Sequence, residues 1–512
     1  MKSLLLLSVP FLVLTAGAVD WTALNAASRE QAKSVLRPGE PGKAPFWNAK
    51  ARAFIHPPAF DFKTVPGASA YRFTVTEKAN GKAHVFTAAV PWAPLAPVWD
   101  ALAPGYVSVK AEGVGADGAV CGVAGTRDCY RAAVFKGPYP TAANDDYAGA
   151  ARRCYAAVAH LPHVRQWLTA TEPPKRYDLY CYPSKILSSM IRAILRYAAT
   201  APAAEKTECH QICRNMADWL ISVSQPADAA LPHLPPTYWG DRRSTAVQYR
   251  GQNMLIYPFE VATAYFQLAD ATGDAKYRDE GLAICRTLLK MQNAEGTWWL
   301  KVYEKDGRPV RPNLIVPQGR IVDCFRTAAR LTGDAAFAKG AERAREYELK
   351  GPFATWNWDG QFEDVDPLPP YSNLEKSRPA DFAGWMFEKG RTADGRLLVD
   401  WCEDQFVVWS DPIHHMDWRH WKMPTALEQY EYYTPIDASM GNLISAFAKA
   451  WTATGDELYR EKAKALADCV LRHQRPNGTI PTYFDTRSDN DWVNCMVYTS
   501  ECLEELAAAL AR

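Results

Sequence analysis

Three copies of the tripeptide Thr-Gly-Asp constrain the fold of this chain more than any other feature of its sequence. They begin at Thr272, Thr332 and Thr454, and each follows a segment with apolar residues at three- and four-residue spacing, which is typical of a helix. Glycine suits the left-handed position that ends a helix, and aspartate suits the cap that begins the next one. Each copy therefore predicts the tight turn of a helical hairpin.

The spacing of these turns predicts a ring of hairpins. The first two copies are 60 residues apart and the last two are 122 apart, so one unit with a weaker signature is expected between them. The same spacing run backwards predicts another unit before the first copy, and an opening helix at about 145–160 completes six hairpins. A period near 60 does not match the usual open solenoids. We therefore predict a closed ring of six inner and six outer helices over residues 142–512.

Residues 45–138 follow a different pattern. The segments AYRFTVT, AHVFTAAV and YVSVKAEGV alternate apolar and polar residues and are separated by turn residues, which predicts half-buried strands. Tyr106 begins a strand after Leu-Ala-Pro-Gly, an arrangement similar to the tyrosine corner of fibronectin-type sandwiches. We expect a small fibronectin type III-like or Ig-like β-sandwich that packs against the helical domain or extends a substrate groove.

The N-terminus predicts export. Residues 1–18 combine a Lys, an apolar run and a small-x-small site that ends at Ala18, which is the pattern of a cleavable signal peptide. The apolar run is too short to favour a permanent membrane span, and no Cys stands at the cleavage site to carry a lipid anchor. Residues 19–44 are interpreted as a linker, and the mature protein is expected to be secreted or periplasmic.

Charge and cysteine placement exclude other classes of protein. Lys and Arg total 58 against 57 Asp and Glu, so the chain lacks the positive excess of a protein that binds nucleic acid through its phosphates. Of the 12 Cys, most lie in apolar helical patterns, where Cys behaves as a small core residue. Only Cys121 and Cys129, interpreted as flanking a short turn, are candidates for a disulfide. No CxxC or HExxH motif is present, and we expect neither a metal nor a cofactor.

The helical region resembles the six-hairpin glycosidase superfamily, whose members form an (α/α)6 toroid. The resemblance rests on the hairpin repeat and covers residues 142–512. The segment TPIDASMGNLISAFAKAWTATGDELY is also similar to the C-terminal helical domain of glucuronyl C5-epimerases. This resemblance implies a mainly α protein with a toroidal catalytic domain that acts on an oligosaccharide or polysaccharide.

The long loops of the repeat predict the position of the site. Each loop leads from an outer helix to the next inner helix, so all six should emerge on the rim opposite the Thr-Gly-Asp turns. They hold ten of the 18 Trp, and long loops in a compact domain are usually functional. Aromatic faces suit the C–H faces of sugar rings, which predicts a glycan pocket. The candidate binding aromatics are Trp239, Trp298, Trp358 and Trp418.

Two loops carry candidate catalytic carboxylates. Glu363 and Asp364 lie among aromatic residues in the fourth loop, where loss of water raises the pKa of a carboxyl toward the range of a general acid. Asp437, just before an inner helix, and Glu428 are candidates for the second carboxylate that glycoside hydrolysis requires. As the alternative, Asp437 caps the inner helix.

The fifth loop also offers the groups for a different reaction. A lyase or epimerase removes the proton next to a uronate carboxylate with a Tyr or His base, and Tyr430, Tyr433 and His415 are the candidates. Arg can hold a carboxylate through two hydrogen bonds. The remaining candidate substrate-binding residues are Arg250, Asn253, Arg419 and Asn494.

Three functions are therefore open. The first is an exported glycoside hydrolase with paired carboxylates, acting on a glycan that can include uronic acid. The second is a polysaccharide lyase or epimerase that acts on uronates, and the third is a glycan-binding protein without catalysis. The sequence does not specify the sugar, the linkage or the oligomeric state.

The signal-peptide interpretation gives a direct prediction. Protein purified from the native host should begin near Val19, because signal peptidase cleaves after the small-x-small site. N-terminal sequencing of the exported fraction checks this. An intact Met1 or a lipid-modified N-terminus would contradict it.

Overall fold

The computed structural model describes residues 19–37, 39–43, 46–316, 319–361, 368, 378–410, 421–430, 434–485 and 491–512. In chain order its helices are α1 (Trp21–Gln31), α2 (Ala96–Trp99), α3 (Tyr147–His160), α4 (Pro162–Arg165), α5 (Pro183–Ala198), α6 (Ala203–Ser222), α7 (Ser244–Gln248), α8 (Ile256–Thr272), α9 (Ala275–Met291), α10 (Gly319–Thr332), α11 (Ala335–Glu348), α12 (Pro379–Glu388), α13 (Thr392–Phe406), α14 (Asp437–Thr454), α15 (Glu457–His473) and α16 (Val493–Leu510). In this part of the chain, no helix is long and apolar enough to cross a membrane.

Six helices form an inner circle, namely α5, α8, α10, α12, α14 and α16. Each packs on an outer helix, which gives the pairs α5–α6, α8–α9, α10–α11, α12–α13, α14–α15 and α16–α3. The sixth pair joins the first and last long helices of the region, and α16 also packs against α5. Between α10 and α12 the contact is polar, with Arg326 Nη1 3.7 Å from Glu388 Oε2. The helices therefore close into a ring, as predicted.

The Thr-Gly-Asp turns have the predicted chemistry. Gly273, Gly333 and Gly455 adopt φ values of 72°, 70° and 68°, a conformation that only glycine reaches without strain. The Asp side chain after each glycine caps the next helix, with Asp334 Oδ1 accepting from the Ala336 N–H at 2.8 Å. The Thr hydroxyl accepts the Asp N–H, at 3.1 Å in the Thr332 turn. These local bonds fix each hairpin.

The first half of inner helix α8 is buried on every side. Residues Ile256–Ala262 are all buried, as are Ala264, Tyr265, Phe266 and Leu268 farther along. A helix that is apolar around its whole circumference belongs in a core, and here its neighbours are two inner helices and the outer layer. Any charged residue on such a helix must find a partner or line a cavity.

Residues 53–131 contain one five-stranded sheet. Its strands are β1 (Ala53–Phe54), β2 (Ala70–Glu77), β3 (Ala83–Ala88), β4 (Gly105–Val114) and β5 (Val120–Arg131), in the order β1-β5-β4-β2-β3. β1 runs parallel to β5 and the other pairs are antiparallel. Two-stranded ribbons join β6 (Gln252–Met254) to β7 (Lys301–Tyr303), and β8 (Val407–Val408) to β9 (Thr425–Ala426).

The predicted strands are confirmed, but an Ig-like sandwich is not. Alternate residues of β2 and β4, such as Phe73 and Val109, are buried on one face of the sheet. Tyr106 is 41% exposed, with its ring edge-on to Tyr130, so it lacks the burial of a tyrosine corner. The division into domains at 45–138 and 142–512 stays a prediction.

Two local expectations are corrected. Cys121 and Cys129 both lie on β5, and eight residues of strand separate them by about 26 Å at roughly 3.3 Å per residue. Both are free thiols, because the two glycines between them, Gly122 and Gly125, continue the strand instead of turning it. The predicted linker 19–44 contains helix α1, whose Gln31 donates to Asp400 Oδ1 on α13 at 2.8 Å.

Asp404 on α13 joins the sheet to the ring. Its Oδ1 accepts the backbone N–H groups of Ile55 at 2.6 Å and His56 at 2.8 Å. The carboxyl is almost fully buried. Burial raises the pKa of Asp404 to about 7 and that of nearby Asp400 to about 6, so both groups retain a proton more readily in the folded protein.

Each of these two carboxyls lowers stability as pH rises from about 4 to about 7, whereas buried His56, whose pKa is lowered to about 3, has the opposite effect over much of this range. The unfolded chain releases each carboxyl proton near pH 4, whereas the folded chain retains it, so folding becomes less favourable over this range. The expected loss from the two carboxyls is about 1 kcal/mol or more per pH unit at the steepest point. Urea unfolding at pH 4.5, 5.5, 6.5 and 7.5 measures it.

The substitution Asp404→Asn should reduce this slope, because the amide does not titrate. The control Asp279→Asn changes a carboxylate on α9 that is 69% exposed and should keep the wild-type slope. A slope in Asp404→Asn equal to that of the wild type would contradict the assignment.

Candidate active site

The N-terminal ends of all six inner helices meet on one side of the ring. The Thr-Gly-Asp turns lie at the C-terminal ends of α8, α10 and α14, so the long loops emerge opposite, as predicted. At that rim a cavity of about 120 Å³ lies on the ring axis. Its polar lining comprises Lys185, Tyr257, Glu260, Arg320, Arg378, Glu428, Ser439, Asn442, Asn494 and Tyr498.

An ion pair and a phenol form the floor of this rim cavity. Arg320 Nη1 donates to Glu260 Oε1 at 2.6 Å, and the Arg320 guanidinium lies 4.4 Å from the centre of the Tyr498 ring. The Tyr498 hydroxyl donates to Asn442 Oδ1 at 3.1 Å. Four inner helices, α8, α10, α14 and α16, thus hold one connected group of polar side chains.

Burial controls the protonation of this group. Burial raises the pKa of Tyr498 well above its usual value, and the charges of Cys502 and Asp381 raise it further. Burial is the largest single effect and would lower the pKa of Arg320, but the charges of Glu260, Tyr498, Glu501 and Asp381 together raise it above the usual range. At neutral pH the site therefore holds a protonated phenol beside a charged guanidinium.

A second cavity continues along the axis toward the Thr-Gly-Asp turns. Its volume is about 330 Å³, and it shares Glu260, Arg320 and Tyr498 with the rim cavity. Ion pairs between inner helices line it, including Arg192 Nε with Glu501 Oε1 at 3.1 Å and Lys449 Nζ with Glu505 Oε1 at 3.2 Å. The axis is therefore polar along its length, and the Glu260–Arg320–Tyr498 group separates its two parts.

Two of the residues predicted from the sequence line the rim cavity. Glu428 follows β9, and its backbone N–H donates to Thr434 O at 2.7 Å. Asn494 is the second residue of α16 and also lines the cavity. The structure thus brings one predicted carboxylate and one predicted amide together with Glu260.

Asp437 and Tyr430 face away from the rim cavity. Asp437 is fully buried, its Oδ1 accepts the Ala438 N–H at 2.8 Å, and burial raises its pKa well above the usual value. Its neighbours Ala438 and Ser439 line the cavity in its place. The Tyr430 hydroxyl donates to Gln405 Oε1 at 2.8 Å, so it packs beside α13.

Three candidate binding residues are part of the packed loops. Trp298 is fully buried and its indole N–H donates to Leu288 O at 2.6 Å, Trp358 is buried, and Asn253 Nδ2 donates to Pro235 O at 2.7 Å. These side chains stabilise the loops and do not line the cavity, because the loops fold back on the ring. Outside the described residues lie Glu363, Asp364, His415, Trp418, Arg419 and Tyr433.

Arg250 and Trp239 lie at the exposed surface of the rim. Arg250 Nη2 donates to Gly240 O at 2.7 Å. The Trp239 ring is 41% exposed and lies edge-on to Trp219 at 5.7 Å. Neither side chain lines the rim cavity, so a role in binding would require a ligand that extends over the rim.

Sequence reasoning missed the charged residues on the inner helices, because it looked for chemistry in the loops. Glu260 interrupts the apolar run from Ile256 to Phe266, and a charge there, in a helix predicted to be buried on all sides, was the available signal. Lys185 and Arg320 lie in the first turns of α5 and α10 and give the same signal. Among the described residues, no cluster of three or more His, Cys, Asp or Glu could hold a metal ion.

Solved structures share this architecture. No protein-family model matches the sequence, and no curated protein sequence matches it. D-mannose isomerase superposes with a TM-score of 0.50 and 13% identity, over 72% of this chain and 100% of its own. A family 76 glycoside hydrolase from a bovine Bacteroides thetaiotaomicron strain superposes with a TM-score of 0.44 and 10% identity, over 88% of this chain and 94% of its own. Cellobiose 2-epimerase from Spirochaeta thermophila superposes with a TM-score of 0.45 and 11% identity, over 71% of this chain and 98% of its own.

The similarity to D-mannose isomerase concerns the fold. The chain has an (α/α)6 toroid fold, as the hairpin repeat predicted. The coverage of D-mannose isomerase, 100% of its length, corresponds to a complete toroid within this chain.

The Glu260–Arg320 pair predicts a strong energetic coupling. Side-chain exposures are 10% for Glu260 and 29% for Arg320, so Arg320→Met should leave a largely buried carboxylate without its partner and cost about 2–3 kcal/mol of unfolding free energy. A double-mutant cycle with Glu260→Gln, followed by urea unfolding, measures the coupling. The control cycle on Lys350–Glu346, exposed by 74% and 64%, should give less than about 1 kcal/mol. Equal coupling in the two cycles would contradict the role of this pair.

Proposed function

We propose that the protein is an exported carbohydrate-active enzyme, and specifically a glycoside hydrolase whose reaction takes place in the rim cavity. Hydrolysis of a glycosidic bond requires two carboxyl groups on opposite sides of that bond. Glu260 and Glu428 line the same cavity from different elements, α8 and the segment after β9. This pair of carboxyls in one small cavity is the observation that carries the proposal.

The two glutamates have different surroundings, which suits two different roles. Glu260 is paired with Arg320 at 2.6 Å, so as a carboxylate it would attack the sugar or activate a water molecule. Glu428 would donate the proton to the leaving oxygen, which is the second task of the reaction. Asn494 and Asn442 offer amide groups for the sugar hydroxyls. The sugar substrate of D-mannose isomerase, which shares the fold, is consistent with a saccharide here.

A lyase or epimerase that acts on uronates is the second candidate. The Tyr498 hydroxyl and the Arg320 guanidinium line the same cavity, and cations there could neutralise a uronate carboxylate. However, burial raises the pKa of Tyr498, so the phenol stays protonated at neutral pH and is not in the form that accepts a proton. This favours hydrolysis over a reaction that begins with proton removal by Tyr498.

Amide substitutions test the proposal. Glu428→Gln and Glu260→Gln should each lower turnover by about 100-fold or more, because acid–base catalysis contributes at least that factor, while the fold persists by circular dichroism. Reducing-end release from a panel of neutral and acidic glycans is the measurement. Glu172→Gln, an exposed glutamate of the first rim loop, is the matched control and should retain wild-type turnover.

The outcomes distinguish the candidates. Release of reducing ends with saturated products supports hydrolysis, whereas unsaturated products detected by ultraviolet absorbance would establish a lyase. Loss of activity in Tyr498→Phe, with full activity in both glutamine variants, would contradict the paired-carboxylate mechanism. Binding of glycans without any turnover by the wild type would instead support a binding protein.

A further inference from the structure

Lys185 stands out among the charged residues of the rim cavity. It is the third residue of α5, and its ammonium lies 4.1 Å from the centre of the Trp492 ring and 5.8 Å from that of Tyr257. Trp492 caps α16 and Tyr257 begins α8. The two helices that flank α5 thus present aromatic faces to one lysine at the cavity wall.

Within the described part of the chain, Lys185 has no carboxylate within ion-pair distance. The other basic residues of the axis are paired, as shown by Arg320 with Glu260 and Lys449 with Glu505. Aromatic faces attract a cation only weakly compared with a carboxylate. The Lys185 ammonium therefore remains available to an anion that enters the cavity.

The position of Lys185 is electrostatically unfavourable without such an anion. A cation in the first turn of a helix faces the positive end of the helix dipole, which is unfavourable. The cavity already carries Arg320 and Arg378 against Glu260 and Glu428, so its lining has one positive charge in excess. The Arg243 guanidinium lies 5.7 Å from the centre of the same Trp492 ring that Lys185 contacts, and it adds a further positive charge near Lys185.

We propose that Lys185 determines specificity by selecting a sugar with an acidic substituent, a carboxylate or a sulfate ester. This inference rests on one part of the proposed function, namely that the rim cavity binds a sugar. It applies whether the reaction is hydrolysis or elimination. The ammonium donates to the anionic oxygens, and Trp492 keeps it directed into the cavity. A sugar with a neutral hydroxymethyl group at that position leaves the positive charge without a counterion.

Direct binding tests this independently of catalysis. Isothermal titration compares D-glucuronate with D-glucose, and glucose 6-sulfate with both, because these probes differ only in the substituent. The wild type should bind an acidic sugar about 10- to 100-fold more tightly than glucose, since a hydrogen bond to a charged group is worth that factor. The tighter of the two acidic probes identifies carboxylate or sulfate as the preferred group.

The variants assign the preference to Lys185. Lys185→Met should bring the affinity for the acidic sugar close to that for glucose and leave glucose binding unchanged, because it removes the charge and keeps the length. Lys185→Arg should restore part of the preference. Lys175→Met, an exposed lysine of the first rim loop, is the control and should keep the full preference. Lys185→Gln serves as the neutral variant if the methionine variant does not fold.

The remaining outcomes separate a failure of the acidic-sugar proposal from a failure of the proposed function. Equal affinity of the wild type for glucose and glucuronate would overturn the acidic-sugar inference, while glycan turnover would leave the proposed function intact. A preference that persists in Lys185→Met and Lys185→Gln would overturn the role of Lys185. The proposed function itself fails if no saccharide binds and no glycan is turned over.

Discussion

Closure of the ring by α16 is the constraint on which the rest of the structure depends. This helix packs against α5 and α3, which come from the opposite end of the helical region. Polar bonds cross the seam, with Arg192 bound to Glu501 at 3.1 Å and the Tyr155 hydroxyl bound to Glu504 at 3.0 Å. Closure brings six helix ends together and removes the axis from bulk water, so the charges on that axis interact in a medium of lower dielectric constant.

The charged residues of the axis follow from this closure. A buried charge is tolerated when it is paired and hydrogen-bonded, and the pairs here join neighbouring inner helices. Glu260 on α8 binds Arg320 on α10, and Arg192 on α5 binds Glu501 on α16. Each pair therefore satisfies two charges and also fixes the rotation of one helix relative to the next. The same residues then form the walls of the two axial cavities.

The ring could be predicted from the sequence because its signals are local. The glycine with φ near 70° and the Asp cap are adjacent residues of each turn. The tripeptide Thr-Gly-Asp alone is therefore enough to predict the turn. Strand alternation in β2 and β4 is local in the same way. Cys121 and Cys129 were misinterpreted because glycine also occurs within strands, and only the pairing of β5 with β4 shows which case applies.

The site could be predicted only in part, because the direction of a side chain depends on helix phase and distant packing. Successive residues of a helix differ by about 100° in direction. For that reason the cavity is lined by Ala438 and Ser439 while Asp437, one position earlier, is fully buried. Trp298 was predicted to bind a sugar ring. Its indole N–H instead donates to Leu288 O on α9, which holds the loop against that helix. Glu428 and Asn494 lie where the loops and helix ends converge, which the repeat did predict.

The direction of the inner helices explains why the rim end of the axis favours anions. All six inner helices direct their N-termini toward the rim, and each N-terminus carries a partial positive charge. The carboxylate of Glu260, in the second turn of α8, is stabilised there, while Lys185 and Arg320 in first turns are not. Arg320 is compensated by Glu260 at 2.6 Å, whereas Lys185 contacts two aromatic rings and has no carboxylate within ion-pair distance among the described residues. An anionic group on the axis would contact this ammonium and face the helix ends at once. Because the cavity is partly enclosed, salt would screen this attraction less than it screens a surface ion pair.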